Sequence, residues 1–179
     1  MDINNIRERK NRRKLLGTLI NMKVIGIIGE KKSGKTSLIQ YLIPYLKQYG
    51  KVGCIKHAHE LDLGLDTSTA KDTDRFFNAG AEAVIGTSKQ KTIKICGGKN
   101  LEELLTEMAN SDVDFVLVEG FKSSDLPKIA LSDFSDEEVS NIIKKVPKDF
   151  EGREEMIKEI VELILSLDNN FFTSGKNLD

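Results

Sequence analysis

The run Val24-Ile25-Gly26-Ile27-Ile28-Gly29-Glu30-Lys31-Lys32-Ser33-Gly34-Lys35-Thr36 constrains this chain more than any other stretch. Gly29, four free positions and then Gly34-Lys35-Thr36 make the pattern G-x-x-x-x-G-K-S/T of a loop that wraps polyphosphate. Such a loop turns backbone N–H groups onto phosphate oxygens, and a Cβ at Gly29 or Gly34 would block the approach. Lys35 supplies charge to the β- and γ-phosphates, and the Thr36 hydroxyl suits Mg²⁺. Lys32, Ser33 and Ser37 belong to the same binding loop. Upstream, the β-branched Val24, Ile25, Ile27 and Ile28 read as a buried parallel strand. Downstream, Leu38, Leu42, Tyr45, Leu46 and Tyr49 recur on one helical face. Strand, loop and helix in that order bring the positive end of the helix dipole to the anion site.

At 179 residues the chain suits one well-buried α/β domain and is short for two ordinary ones. Its 27 Lys+Arg against 28 Asp+Glu leave a net charge of -1, so no global field argues for nucleic acid or membrane. The two cysteines, Cys54 and Cys96, have no C-x-x-C spacing and read as buried thiols of a reducing compartment. Without an apolar run of roughly 18 residues, the sequence reads as cytoplasmic. Residues 1–21 differ from the rest: six basic against two acidic side chains give this arm +4 and leave -5 on the remainder. The expected organisation is a basic extension over 1–21, a nucleotide-binding domain over 22–168 and a polar tail over 169–179.

Along the domain, Lys51–Lys56 reads as the second strand of a βαβ unit, and Pro44 should remove one hydrogen bond from the helix before it. His57 and His59 then fall beyond a strand's carboxyl end, where open α/β sheets gather ligands. With Asp62 and Asp66 they could hold a metal, although a second well-spaced ligand pair is missing. Residues 70–79 read as a short helix with Phe76 and Phe77 in the core and Gly80 as its C-cap. Ala83–Thr87 and Thr92–Cys96 suggest a strand pair, and Leu101–Met108 an amphipathic helix. Asp114–Glu119 is an apolar strand ending in an acid and Gly120, the kind that stands beside the phosphate-loop strand and offers a carboxylate to Mg²⁺. A strand entered through Pro127, an edge or penultimate strand over 141–146 and a helix over 152–167 complete the reading.

Several of these segments together resemble the MobB family, the adaptor proteins of molybdopterin-guanine dinucleotide biosynthesis. They are G-I-I-G-E-K-K-S-G-K-T-S-L, I-K-H-A-H-E, A-K-D-T-D-R-F-F-N-A-G-A, D-F-V-L-V-E-G-F-K and L-P-K-I, spread over Met22 to Leu131. The resemblance implies a GTP-binding protein, usually a homodimer, that assists a guanylyltransferase attaching GMP to molybdopterin. By position it makes Gly29, Gly34, Lys35 and Thr36 the phosphate and Mg²⁺ residues and Glu119 the Walker B acid. It also places Lys56, His57 and Asp72 in motifs facing the site. The chain departs from the family at Ala58 and Glu60, where a further histidine is common. It also carries no N/T-K-x-D guanine motif, since Val146-Pro147-Lys148-Asp149 lacks the leading polar residue. The preference for GTP is therefore an implication of the resemblance.

The sequence thus reads as a P-loop NTPase-like, three-layer α/β/α protein with a mostly parallel sheet, binding GTP and Mg²⁺. Lys35 and Glu119 are its catalytic pair, with slow hydrolysis at most because no water-orienting Gln or Arg finger can be assigned. A small-molecule kinase using the Glu60–Thr69 loop as a lid, and a metal-delivery GTPase using His57 and His59, are the other readings.

Overall fold

The computed structural model describes residues 21–59, 68–131, 139–150 and 153–168. The basic arm, most of the proposed lid loop, Asp62, Asp66 and the polar tail therefore lie outside the described residues. In chain order the elements are β1 (Lys23–Ile28), α1 (Lys35–Leu46), β2 (Val52–Lys56), α2 (Ser68–Asn78), β3 (Ala83–Thr87) and β4 (Thr92–Cys96). There follow α3 (Leu101–Asn110), β5 (Phe115–Glu119), β6 (Lys128–Leu131), β7 (Ile142–Val146) and α4 (Glu154–Ser166). Two compact units result, one running through His57 and resuming at Asn100, the other Ala58–Lys99.

In the larger unit the five strands lie in the order β2-β5-β1-β6-β7, and every pairing is parallel. Parallel strands need cover on both faces, which explains the unbroken apolar runs of β1 and β5. Alternation splits those runs between two cores. Ile25, Ile27, Phe115, Leu117, Ile129 and Leu131 pack with α1 and α4. Val24, Ile55, Val116 and Val118 pack with Leu101, Leu105 and Ala109 of α3 on the opposite face. The result is the expected α/β/α layering of a P-loop NTPase-like fold.

Local signals set the helix ends. Asn100 caps α3 by accepting from the Glu103 N–H at 2.9 Å, while the Glu103 carboxylate accepts from the Asn100 N–H, a reciprocal capping box. The C-terminal carbonyls of α4 are met by a lysine from β1: Lys23 Nζ donates to Leu165 O and Leu167 O. Helix α1 continues two residues past Pro44, which sits in its last turn, where few hydrogen bonds remain to be lost. The stripe on α1 is Leu38, Ile39, Leu42 and Leu46, so Ile39 replaces Tyr49 of the sequence reading. Tyr49 lies past the helix end and is 62% exposed, because the chain turns there towards β2. Cys54 is also exposed rather than buried, since β2 is an edge strand.

One buried charge stands out. Lys128 opens β6 with no solvent exposure, and its ammonium donates to three carbonyl oxygens, those of Ser124, Leu126 and Ser140. Gly26 on the neighbouring strand makes room for its stem: a Cβ there would come within 3.1 Å of Lys128 Cγ. Lys128 thereby ties the loop after β5 to the chain entering β7. Burial lowers its pKa from the ordinary 10.5, opposed by the Asp125 carboxylate.

The smaller unit packs α2 on the antiparallel pair β3–β4, in which Ala83 faces Cys96 and Thr87 faces Thr92. Gly80 ends α2 as expected: at φ +106° it donates to Phe77 O while Ala81 donates to Phe76 O, a Schellman closure. Among the described residues of this unit Thr73 and Val84 are buried, with Phe77 half-buried. Phe76 is 60% exposed, contrary to the core role expected for it, because one helical face suffices to cover a two-stranded sheet.

Replacing Lys128 by Met should lower stability by roughly 2–4 kcal/mol in urea titrations, since three carbonyls, two of them in buried bonds, lose their donor. The pH dependence has a defined sign. A folded-state pKa below the unfolded 10.5 means the unfolded chain binds more protons in that interval, so wild-type stability rises with pH there. The stability gap between wild type and Lys128→Met should accordingly widen between neutral pH and about pH 10.

Candidate functional site

The site grows from the carboxyl ends of β1, β2 and β5. Strand β1 ends at Ile28, and Gly29 at φ +151°, Lys32 at φ +62° and Gly34 at φ +96° curl the following loop into α1. The glycines are steric requirements. A Cβ on Gly29 would lie 2.6 Å from Ser33 Oγ, and one on Gly34 would lie 3.1 Å from Phe150 Cε1. Lys32 takes the left-handed conformation with a full side chain, held exposed outside the curl. Ser33 is buried inside it, and its hydroxyl finds no hydrogen-bond partner among the described residues. A buried orphan hydroxyl in a glycine-bounded cradle suits a polar ligand.

Lys35 reaches back across this cradle, its ammonium donating to Gly29 O at 3.0 Å and Glu30 O at 2.6 Å. Burial lowers its pKa; Glu119 opposes that, Lys122 adds to it, and Glu30 and Lys56 act more weakly in opposite senses. Four charged side chains therefore share the surroundings of Lys35. Thr36, exposed in the first turn of α1, donates its hydroxyl to Glu119 Oε2 at 3.1 Å. This pairing brings together two residues 83 positions apart, the hydroxyl and the carboxylate that the sequence offered to Mg²⁺. Ser37 follows, half-buried.

Register explains why these groups meet. Glu119 is in register with Ile27 on β1 and with Lys56 on β2. Partners in a parallel pair point to the same face, so Lys56 shares with Glu119 the α1 side of the sheet. His57 continues the ladder, its N–H donating to Glu119 O at 2.9 Å, but its ring goes elsewhere. It stacks on Phe121, centroids 4.5 Å apart, and Phe121 packs against the α3-side core. Adjacent Lys56 and His57 thus serve opposite faces. Asp72 belongs to the smaller unit, where it pairs with Arg75 at 3.7 Å.

Two participants escaped the sequence reading. Lys122 and Glu30 both act on the Lys35 ammonium, and neither belongs to the set drawn from sequence. Glu30 occupies a free position of the loop pattern. Lys122 stands in the E-G-F-K segment, where only the turn after β5 reveals its direction. As for a metal, the described residues contain no group of three or more His, Cys, Asp or Glu side chains able to hold one, and no described helix is long and apolar enough to cross a membrane.

Comparison with known proteins agrees with this architecture. The family model for molybdopterin guanine dinucleotide synthesis protein B matches residues 24–147. A Methanocaldococcus jannaschii protein, named as an adapter of molybdopterin-guanine dinucleotide biosynthesis, is 35% identical over 69% of this chain and 55% of its own length. The Escherichia coli adapter of the same name is 37% identical over 55% of this chain and 59% of its own. The chain thus spans little more than half the length of these relatives. A crystal structure of a MobB homologue from Bacillus stearothermophilus superposes with a TM-score of 0.60 at 21% identity, covering 82% of this chain and all of that one, a likeness of fold. The matched region takes in nearly all of β1, the Gly29–Thr36 loop, β2, β5 and β6, and on that ground the chain belongs to the MobB family.

Proposed function

We propose that this protein is a GTP-binding adaptor of molybdopterin-guanine dinucleotide biosynthesis, assisting a guanylyltransferase that joins GMP to molybdopterin. The observation that carries the nucleotide part is the Thr36–Glu119 pair beside Lys35, at the mouth of a loop whose turns require glycine at positions 29 and 34. The biosynthetic assignment draws on the family and on the names of the relatives. A homodimer and a cytoplasmic setting belong to the same reading.

In this proposal Gly29, Lys32, Ser33, Gly34 and Ser37 contribute the cradle for the phosphates, and the Ser33 hydroxyl gains a partner from a phosphate oxygen. Lys35 exchanges its two carbonyl contacts for the β- and γ-phosphates. Thr36 and Glu119 hold Mg²⁺, which when bound neutralises charge on the phosphate chain. Lys56, on the Glu119 side of the sheet, adds positive potential at the outer strand. His57 and Asp72 enter through family resemblance, His57 by way of its stack with Phe121.

Phosphoryl-transfer catalysis is mostly positioning and charge stabilisation. Here the groups that bind phosphate are numerous, while the described residues offer no assigned side chain to orient an attacking water. That balance favours a protein that holds GTP over one that turns it over rapidly.

Calorimetry in Mg²⁺ with GTP, GDP and ATP tests the reading. GTP should bind the wild type in preference to ATP, and Lys35→Ala should weaken that binding by about tenfold or more. A preference for ATP would instead favour a kinase, and unchanged binding by Lys35→Ala would remove the phosphate loop from the argument. Glu119→Gln keeps an acceptor for Thr36 but loses charge, so it should fold normally and lose most of the Mg²⁺ dependence of GTP affinity. Hydrolysis by the isolated protein should remain well below the roughly 1–100 s⁻¹ of kinases.

A further inference from the structure

The loop joining β5 to β6 is built more firmly than a simple connection requires. Immediately after Glu119, Gly120 and Phe121 both take positive φ, +99° and +50°. Glycine is needed at the first position, because a Cβ there would lie 3.0 Å from His57 Cβ. At the second, a bulky aromatic residue holds a left-handed backbone that persists only where the surroundings enforce it.

Three contacts enforce it. The Phe121 ring stacks on His57 at 4.5 Å. Its carbonyl accepts from the Ser124 N–H at 3.2 Å and the Ser124 hydroxyl at 2.8 Å, closing a turn with Lys122 and Ser123 at its corners. The Ser124 carbonyl in turn receives the buried Lys128 ammonium, and Ser124 is itself 1% exposed. The chain from His57 through Phe121 and Ser124 to Lys128 is thus a rigid mount, and what it presents at the exposed corner is Lys122.

We propose that Lys122 contacts the terminal phosphate of the bound nucleoside triphosphate, and that the His57–Phe121 stack and the Lys128 anchor are the positioning residues that hold it there. The inference rests on the nucleotide-binding reading above. Its geometric ground is the reversal of the chain directly after Glu119, whose carboxylate touches Thr36 in the first turn of α1. Its electrostatic ground is independent: Lys122 acts on the Lys35 ammonium more strongly than Lys56 does, although Lys56 stands on the strand next to Glu119.

A contact with the terminal phosphate makes a specific signature, because GDP lacks that group. In calorimetry on the full chain with Mg²⁺, Lys122→Ala should weaken GTP binding by roughly 10- to 100-fold, as for a charge-assisted hydrogen bond, and change GDP binding by less than about twofold. Lys122→Arg should restore most of the loss. His57→Ala should reduce GTP affinity in the same direction by a smaller factor, and the double variant His57→Ala/Lys122→Ala should be no weaker than Lys122→Ala alone, as for groups acting through one another. Equal effects on GTP and GDP, or none on either, would overturn the proposal while Lys35→Ala still abolished binding. Wild-type protein that bound no GTP would remove the nucleotide reading itself and this proposal with it. Lys122 is exposed, so a folding defect in Lys122→Ala is not expected, and matching thermal unfolding of variant and wild type checks this.

Discussion

Ile27 of β1 and Lys56 of β2 both stand in register with Glu119 of β5, and the site follows from that alignment. In a parallel sheet neighbouring strands end on the same side, so the loop leaving β1 and the acid ending β5 meet without any dedicated scaffold. Register also has a sign. A slip of one residue would send Glu119 to the α3 face and bring Val118 to Thr36, losing both the carboxylate and part of a core. The apolar residues that fix the register, Ile25, Ile27, Phe115 and Leu117 on one face and Val24, Val116 and Val118 on the other, therefore do functional as well as structural service.

The charges gathered there act on Lys35 in opposite senses. Lys122 and Lys56 each repel the Lys35 ammonium and so pull its pKa down. Glu119 outweighs Lys122 and Glu30 outweighs Lys56, so the acids more than offset this repulsion and what lowers the Lys35 pKa is burial. A partly desolvated ammonium gains from an anion at hydrogen-bond distance, which suits a phosphate oxygen beside Lys35. The orphaned Ser33 hydroxyl points the same way from hydrogen bonding rather than charge. Two independent physical demands, one electrostatic and one of polar satisfaction, are met by the same class of ligand.

What the sequence made legible was whatever depends on near neighbours in the chain. The glycine-bounded turn between Gly29 and Gly34, the strand ending in Glu119, the Gly80 cap and the closing helix each carry their signal within a short stretch of chain, and the structure has them. Tyr49 and Phe76 were misread because periodicity tells which face a residue occupies but not whether another element covers it. Lys128 was unreadable for a different reason. Nothing in L-P-K-I says that its lysine is buried, because its partners are backbone carbonyls at Ser124, Leu126 and Ser140, and the room for it is made by a glycine a hundred residues earlier, Gly26. Lys122 escaped with it, since its direction is set by the left-handed turn at Gly120 and Phe121 that Lys128 helps to hold.

The smaller unit shows how such a fold accommodates additions. It enters the chain after His57 and leaves before Asn100, that is, within the crossover from β2 through α3 to β5. β2 and β5 are adjacent and fully paired from Val52–Phe115 to Lys56–Glu119, so the crossover closes its parallel pair despite carrying over forty extra residues. Loop-closure entropy grows only logarithmically with length, and the packing of α2 on β3–β4 shortens the unstructured span within the insertion. The insertion begins directly behind Lys56 and His57, at the carboxyl edge where sequence can change without disturbing the sheet.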